Sequence, residues 1–137
     1  MERTSLNRLP SPTFRYLHTN DTKVIFTPPR VSAKAVFSES GFVCKGAEFP
    51  KEFEGASEET AAAALAGESY TIRIPDGTEA RLEITVMADD MHPDYAGAFR
   101  FLLGKRSGLD LVWRCGGGRT GSGCMASCYE LEEGARL

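Results

Sequence analysis

The chain has 137 residues, enough for one domain, or for a small domain carrying an N-terminal arm. A chain of this size buries roughly 65–70% of its unfolded surface, so it can build a real core. Lysine and arginine total 16 against 19 aspartates and glutamates, a formal charge of −3, which argues against broad nonspecific nucleic-acid binding. No stretch approaches the roughly 18 apolar residues of a membrane span, and no apolar segment follows Met1–Ser5 as it would in a secretory leader. Four cysteines in such a context are expected to be free thiols in a reducing, cytoplasmic compartment.

The first thirty residues carry Pro10, Pro12, Pro28 and Pro29, which forbid a long helix there. Lys23–Thr27, Ala33–Phe37 and Gly41–Cys44 read as short strands. Ser57 to Ala66 reads as the one helix. Ser57 is placed to cap it, Glu58 and Glu59 lie in its first turn, four alanines run from Ala61 to Ala64, and Gly67 stops it. Its side chains are small, which suits close packing better than recognition.

From Tyr70 the apolar period changes to two. Tyr70, Ile72 and Ile74 alternate with polar residues, and Pro75-Asp76-Gly77 makes a turn. Leu82, Ile84 and Val86 alternate next, followed by a polar loop over 89–97 that holds His92. Phe99–Leu103 and Leu109–Arg114 form another pair of strands, joined through Gly104 and Gly108. A glycine-rich stretch from Gly116 to Gly123 reads as a loop, and Cys124–Leu131 as a strand. The turn at Glu132-Glu133-Gly134 then leads into Ala135–Leu137, the beginning of one more. The unit is strand, glycine turn, strand, with turns near Gly77, Gly108 and Gly134, spaced 31 and 26 residues apart. The expected fold is therefore mainly β with a small α contribution. Stacked coils of a β-helix fit the repeat, and an antiparallel β-sandwich is the alternative. Two regions are expected: 1–67, an N-terminal arm with short strands and a helix over 57–66, and 68–137, a β-repeat domain incomplete at its C-terminus.

Several short patches, in order, resemble one family. Leu6-Asn7-Arg8-Leu9-Pro10-Ser11-Pro12-Thr13-Phe14 is similar to the opening of SufB/SufD iron–sulfur cluster assembly proteins, with Phe14 where tryptophan is usual. Ile72-Arg73-Ile74-Pro75-Asp76-Gly77 resembles that family's entry into its core. Asp110-Leu111-Val112-Trp113 and Glu130–Leu137 resemble the strand turns that punctuate it. The resemblance implies a right-handed parallel β-helix, a non-catalytic scaffold role, a SufB/SufD-like partner and a SufC-like ATPase. Family members are about three times longer, and their cluster-related residues and partner-binding helices lie in later parts. No catalytic or cluster-ligand residue is carried over, and the chain reads as an N-terminal or truncated portion. A homo-oligomer through the C-terminal β edge is expected, because an open stack leaves unpaired backbone groups. Neither nucleic acid nor membrane is expected as a partner.

The sharpest local chemistry is Cys115, Cys124 and Cys128, spaced C-x8-C and C-x3-C. Three soft thiolates suit zinc or an iron–sulfur cluster, which makes a small metal-binding module the alternative function. The spacing lacks the paired C-x2-C of common zinc sites, and Cys124 with Cys128 on one strand face fits small-residue packing equally. Packing is preferred, so no cofactor is assigned to this chain. Gly116–Gly123 lacks the terminal Gly-Lys-Ser/Thr and helix of a phosphate-binding loop. His18 and His92 read as loop residues, although Asp89, Asp90 and Asp94 surround the latter. No nucleophile–base pair is visible, so the chain is read as non-enzymatic.

Overall fold

The computed structural model describes residues 3–6, 22–25, 29–30, 33–49, 58–117 and 121–137. Among the described residues it is mainly β, with one short helix, two mixed sheets and a further strand pair. Strands β1 (Arg3–Leu6) and β2 (Thr22–Ile25) form the pair, antiparallel to each other. The four-stranded sheet runs in the order β4 (Val43–Lys45), β5 (Glu68–Ile74), β7 (Tyr95–Leu103), β9 (Gly123–Leu131). The three-stranded sheet runs β3 (Ala35–Phe37), β6 (Glu79–Met87), β8 (Gly108–Gly116). Antiparallel pairing in these two sheets is confined to the three-residue strands β3 and β4, which flank β6 and β5.

Successive long strands pair in parallel and keep one register. Glu68 meets Gly97 and Glu79 meets Gly108, both offsets of 29 residues. Tyr95 meets Gly123 and Gly108 meets Arg136, both offsets of 28. Because side chains alternate across a strand, equal offsets bring inward residues over inward residues. Ile72, Phe101 and Tyr129 occupy one such row, Ile74, Leu103 and Leu131 the next, and Tyr70, Phe99 and Ser127 a third. Ile84 over Trp113 and Leu82 over Leu111 do the same in the other sheet.

The inward rows of both sheets share one core. Ile72, Ile74, Leu82, Ile84, Phe99, Phe101 and Leu103 are almost wholly removed from solvent. Burying each large apolar side chain stabilises by about 1.5–3 kcal/mol. Aromatic rings meet both across and within the sheets: Trp113 meets Phe99 of the other sheet edge-on at 4.9 Å, and Phe101 stacks on Tyr129 of its own sheet at 4.8 Å and 8°. Such pairs add about 0.5–1.5 kcal/mol beyond their area.

Helix α1 (Glu58–Ala66) packs on the outer face of the four-stranded sheet. The buried centre of its contact is made of small residues, Ala64 against Ala98 and Cys124, with Phe49, Ala63 and Ala126 packed around them. Gly67 permits the approach, since a Cβ there would collide with the Ala96 carbonyl. The expected cap, Ser57, lies outside the described residues, as do His18 and most of the Leu6–Phe14 patch.

The turns differ from the sequence reading in one respect. Gly77, Arg106 and Gly134 hold the equivalent left-handed position, with φ of 66°, 54° and 72°. Gly108 is not the turn glycine; it opens β8. The spacing is thus 29 and 28 residues rather than 31 and 26, matching the strand offsets. The turns also bond to one another: the Gly77 amide donates to the Lys105 carbonyl (2.8 Å) and the Arg106 amide to that of Glu133 (3.0 Å). The polar loop is shorter than expected, because Tyr95, Ala96 and Gly97 already belong to β7.

A left-handed backbone costs a residue with a Cβ about 1–2 kcal/mol, and glycine's extra unfolded-state freedom offsets about 0.4–1 kcal/mol of that. Arg106→Gly is therefore expected to stabilise, and Gly77→Ala to destabilise, each by about 0.5–1 kcal/mol. Urea midpoints at unchanged m-value check both signs.

Candidate functional site

The three cysteines singled out by their spacing fall in different surroundings. Cys115 lies near the end of β8, paired with Val86, in the three-stranded sheet. Cys124 and Cys128 lie on β9 in the other sheet, four residues apart on its outer face, so their Cα atoms are about 13 Å apart. Cys124 is buried in the small-residue contact under α1, where its thiol donates to the Thr60 carbonyl at 3.0 Å. Cys128 sits across from Arg100, which binds Glu130 through Nε (3.0 Å) and Nη2 (2.6 Å). The strands thus hold the three thiols apart. Among the described residues, no group of three or more His, Cys, Asp and Glu side chains is disposed to hold a metal ion.

The acids around His92 are also divided. Asp89 Oδ1 accepts the amides of Met91 (2.9 Å) and His92 (2.6 Å), closing a local turn, and lies 3.3 Å from His92 Nδ1. These bonds, led by that from the His92 amide, lower its carboxyl pKa. Asp94 instead accepts the amides of Ser122 (2.9 Å) and Arg30 (3.2 Å), the first of which leads in lowering its pKa. It braces the loop before β7 against the segment before β9. The glycine-rich stretch contributes Gly116 to β8 and Gly123 to β9, and a strand, not a helix, follows it.

A groove of about 610 Å³ lies on the part of the outer sheet face bounded by Arg73, Arg100, Leu102 and Glu130. Its charges largely answer one another, since Arg100 is committed to Glu130.

Two further features stand out, of which only the second was not legible in the sequence. The first is the open end of the stack. Among the described residues, β9 has no partner beyond β7 and presents a nine-residue edge. Its inward side chains Met125, Tyr129 and Leu131 stay 39–47% exposed, and Leu137 is exposed as well. They are uncovered because, among the described residues, the next row is begun only by the bridge from Arg136 to Gly108.

The second is Tyr95. It is 3% exposed, yet its hydroxyl has no hydrogen-bond partner among the described residues. Burial, and then the Glu68 carboxylate, push its pKa far above the ordinary tyrosine range. Glu68 acts on the hydroxyl by charge and as a nearby acceptor, and its carboxylate also takes the Ala35 amide at 2.9 Å. A buried polar group left unpaired costs about 1–3 kcal/mol.

No helix among the described residues is long and apolar enough to cross a membrane. Comparison with protein families, curated proteins and solved structures finds no match.

The thiols differ in burial, and this ranks their reactivity. Burial raises the pKa of Cys124 and Cys128, reducing the thiolate that attacks an electrophile, whereas Cys44 and Cys115 are exposed. Iodoacetamide at pH 8 is expected to modify Cys44 and Cys115 first, Cys128 next and Cys124 last. Peptide mass spectrometry over time gives the order.

Proposed function

We propose that this chain is a non-catalytic scaffold segment, related to SufB/SufD-like iron–sulfur cluster assembly proteins, that works in the cytoplasm through protein–protein contacts. The observation that carries the reading is the parallel register at offsets of 28 and 29 residues. A chain that adds similar strand–turn–strand units at fixed spacing makes a stack with two long faces and an end, which suits docking. The same register supports reading residues 68–137 as the first coils of a right-handed parallel β-helix, the architecture implied by the family resemblance. The resemblance also supplies the partners proposed for a full-length protein of this kind, a SufB/SufD-like subunit and a SufC-like ATPase.

The contact proposed for this chain itself is a homo-oligomer through the β9 edge. An uncovered edge of nine residues offers backbone N–H and C=O groups to another strand, with Met125, Tyr129 and Leu131 as apolar cover. The surface has little to prevent pairing, since Glu130 is the only charged residue on the strand. Light scattering of the 14.9 kDa chain is expected to give twice that mass or a higher multiple. The double variant Met125→Lys, Tyr129→Lys is expected to be monomeric with an unchanged far-ultraviolet circular dichroism spectrum. A wild-type monomer whose β9 amides are nonetheless protected from hydrogen exchange contradicts the oligomer.

A further inference from the structure

We propose that two copies of this chain join β9 to β9, antiparallel about a twofold axis normal to the four-stranded sheet, with Ser127 on the axis. This pairing rests on the oligomer proposed above and goes beyond it in fixing which ends meet, how the strands run and where assembly stops.

The stack has two unlike ends. At the first, short strands already occupy the backbone. β4 lies along β5, where the Gly46 amide donates to the Ser69 carbonyl (2.7 Å) and the Arg73 amide to that of Phe42 (2.9 Å). β3 lies along β6, where the Ser38 amide donates to the Glu83 carbonyl (2.9 Å). The other end, at β9, is open among the described residues. A head-to-tail contact, which could repeat without limit, would have to displace β3 or β4. A tail-to-tail contact displaces nothing and uses the same surface on both copies, so it closes at two.

Backbone directions then select the pairing. On the β7 side, the Ser122 carbonyl accepts the Tyr95 amide, and the Glu132 amide donates to the Leu103 carbonyl. Along a strand the backbone groups of successive residues point to opposite sides, so the even-numbered residues of β9 bond to β7. Gly123, Met125, Ser127, Tyr129 and Leu131 therefore turn their N–H and C=O groups to the free edge, and these are the residues on the inward face. In an antiparallel pair, two such residues standing opposite each other exchange both bonds. A parallel pair about a twofold axis would set each residue opposite its own copy. The slanted bonds of a parallel pair run to the residues before and after the one opposite, and those are already bonded to β7. Antiparallel pairing centred on Ser127 matches all the outward residues, gives about ten hydrogen bonds and keeps inner face beside inner face. It sets Met125 against the partner's Tyr129, a thioether beside an aromatic ring. It also holds the two Glu130 carboxylates, the only charges on the paired strands, about 20 Å apart.

Sedimentation equilibrium of the wild-type chain is expected to give twice 14.9 kDa and no larger species. In a mixture of isotope-labelled and unlabelled chains, filtered Overhauser spectra are expected to join the α proton of Ala126 to that of the partner's Cys128, which stand opposite in a non-hydrogen-bonded pair. Ser127→Pro removes an amide that faces the free edge, so β9 keeps its bonds to β7 and the far-ultraviolet circular dichroism stays unchanged. That variant is expected to sediment at the mass of one chain. Should it fail to fold, the Overhauser contact alone decides. Masses above the dimer, a dimer without the Ala126–Cys128 contact, or a dimer that survives Ser127→Pro overturns this pairing and leaves the oligomer standing. A wild-type monomer overturns both.

Discussion

Tyr70 lies beside Phe99, and Phe101 beside Tyr129, because β5, β7 and β9 run parallel at nearly constant offset. Most of the described fold depends on that register. A slip of one residue would send every inward side chain of a strand to the outer face and bring the charged outer set into the core. Both ends of each unit hold the register in place. At the turns, the amides of Gly77 and Arg106 bond to carbonyls in the neighbouring unit. At the opposite end, Asp94 joins the loop before β7 to Ser122 before β9. On the outer faces, Arg81 lies 3.7 Å from Asp110, and Arg114 and Arg136 pair with Glu83 and Glu79. These exposed pairs add little stability, each about 0–1 kcal/mol, but they suit the observed register better than a shifted one.

The helix side of the molecule follows from the same arrangement. An outer face of Ala96, Ala98, Cys124 and Ala126 is flat enough for a helix of small residues to lie close against it. Further along the same strands the face turns polar at Arg100 and Glu130. Cys124 and Cys128 stand on one face and therefore meet different chemistry: one is packed beneath alanines, the other lies beside an ion pair. A strand separates residues four apart by about 13 Å, more than one metal ion spans.

Much of this organisation was legible in the residues. The period-two alternation from Tyr70 onward marks the inward residues, and Pro75-Asp76-Gly77 and Glu132-Glu133-Gly134 mark two of the three turns. The third turn was misplaced at Gly108 because Arg106, not a glycine, takes the left-handed position. Tyr95–Gly97 reads as loop because one tyrosine among small residues, after a segment holding Asp89, Asp90, His92 and Asp94, shows no alternation. Strand partners were not legible at all: alternation reports which face a residue occupies and says nothing about which strand lies beside it. The short antiparallel strands β3 and β4 could be anticipated as strands, but not as the flanks of β6 and β5. The unpaired Tyr95 hydroxyl has a faint sequence signal, a tyrosine two residues from a glycine on the same strand face. That pattern becomes informative only once the register is known.

The account stands on the parallel register, and nuclear Overhauser contacts in the folded chain test it most directly. Cross-strand contacts between amide and α protons are expected to connect Tyr70 with Phe99 and Phe99 with Ser127, together with ring contacts between Phe101 and Tyr129. Close α-proton to α-proton contacts between β5 and β7, or between β7 and β9, would mark antiparallel pairing and contradict the register on which the core and the open end both depend.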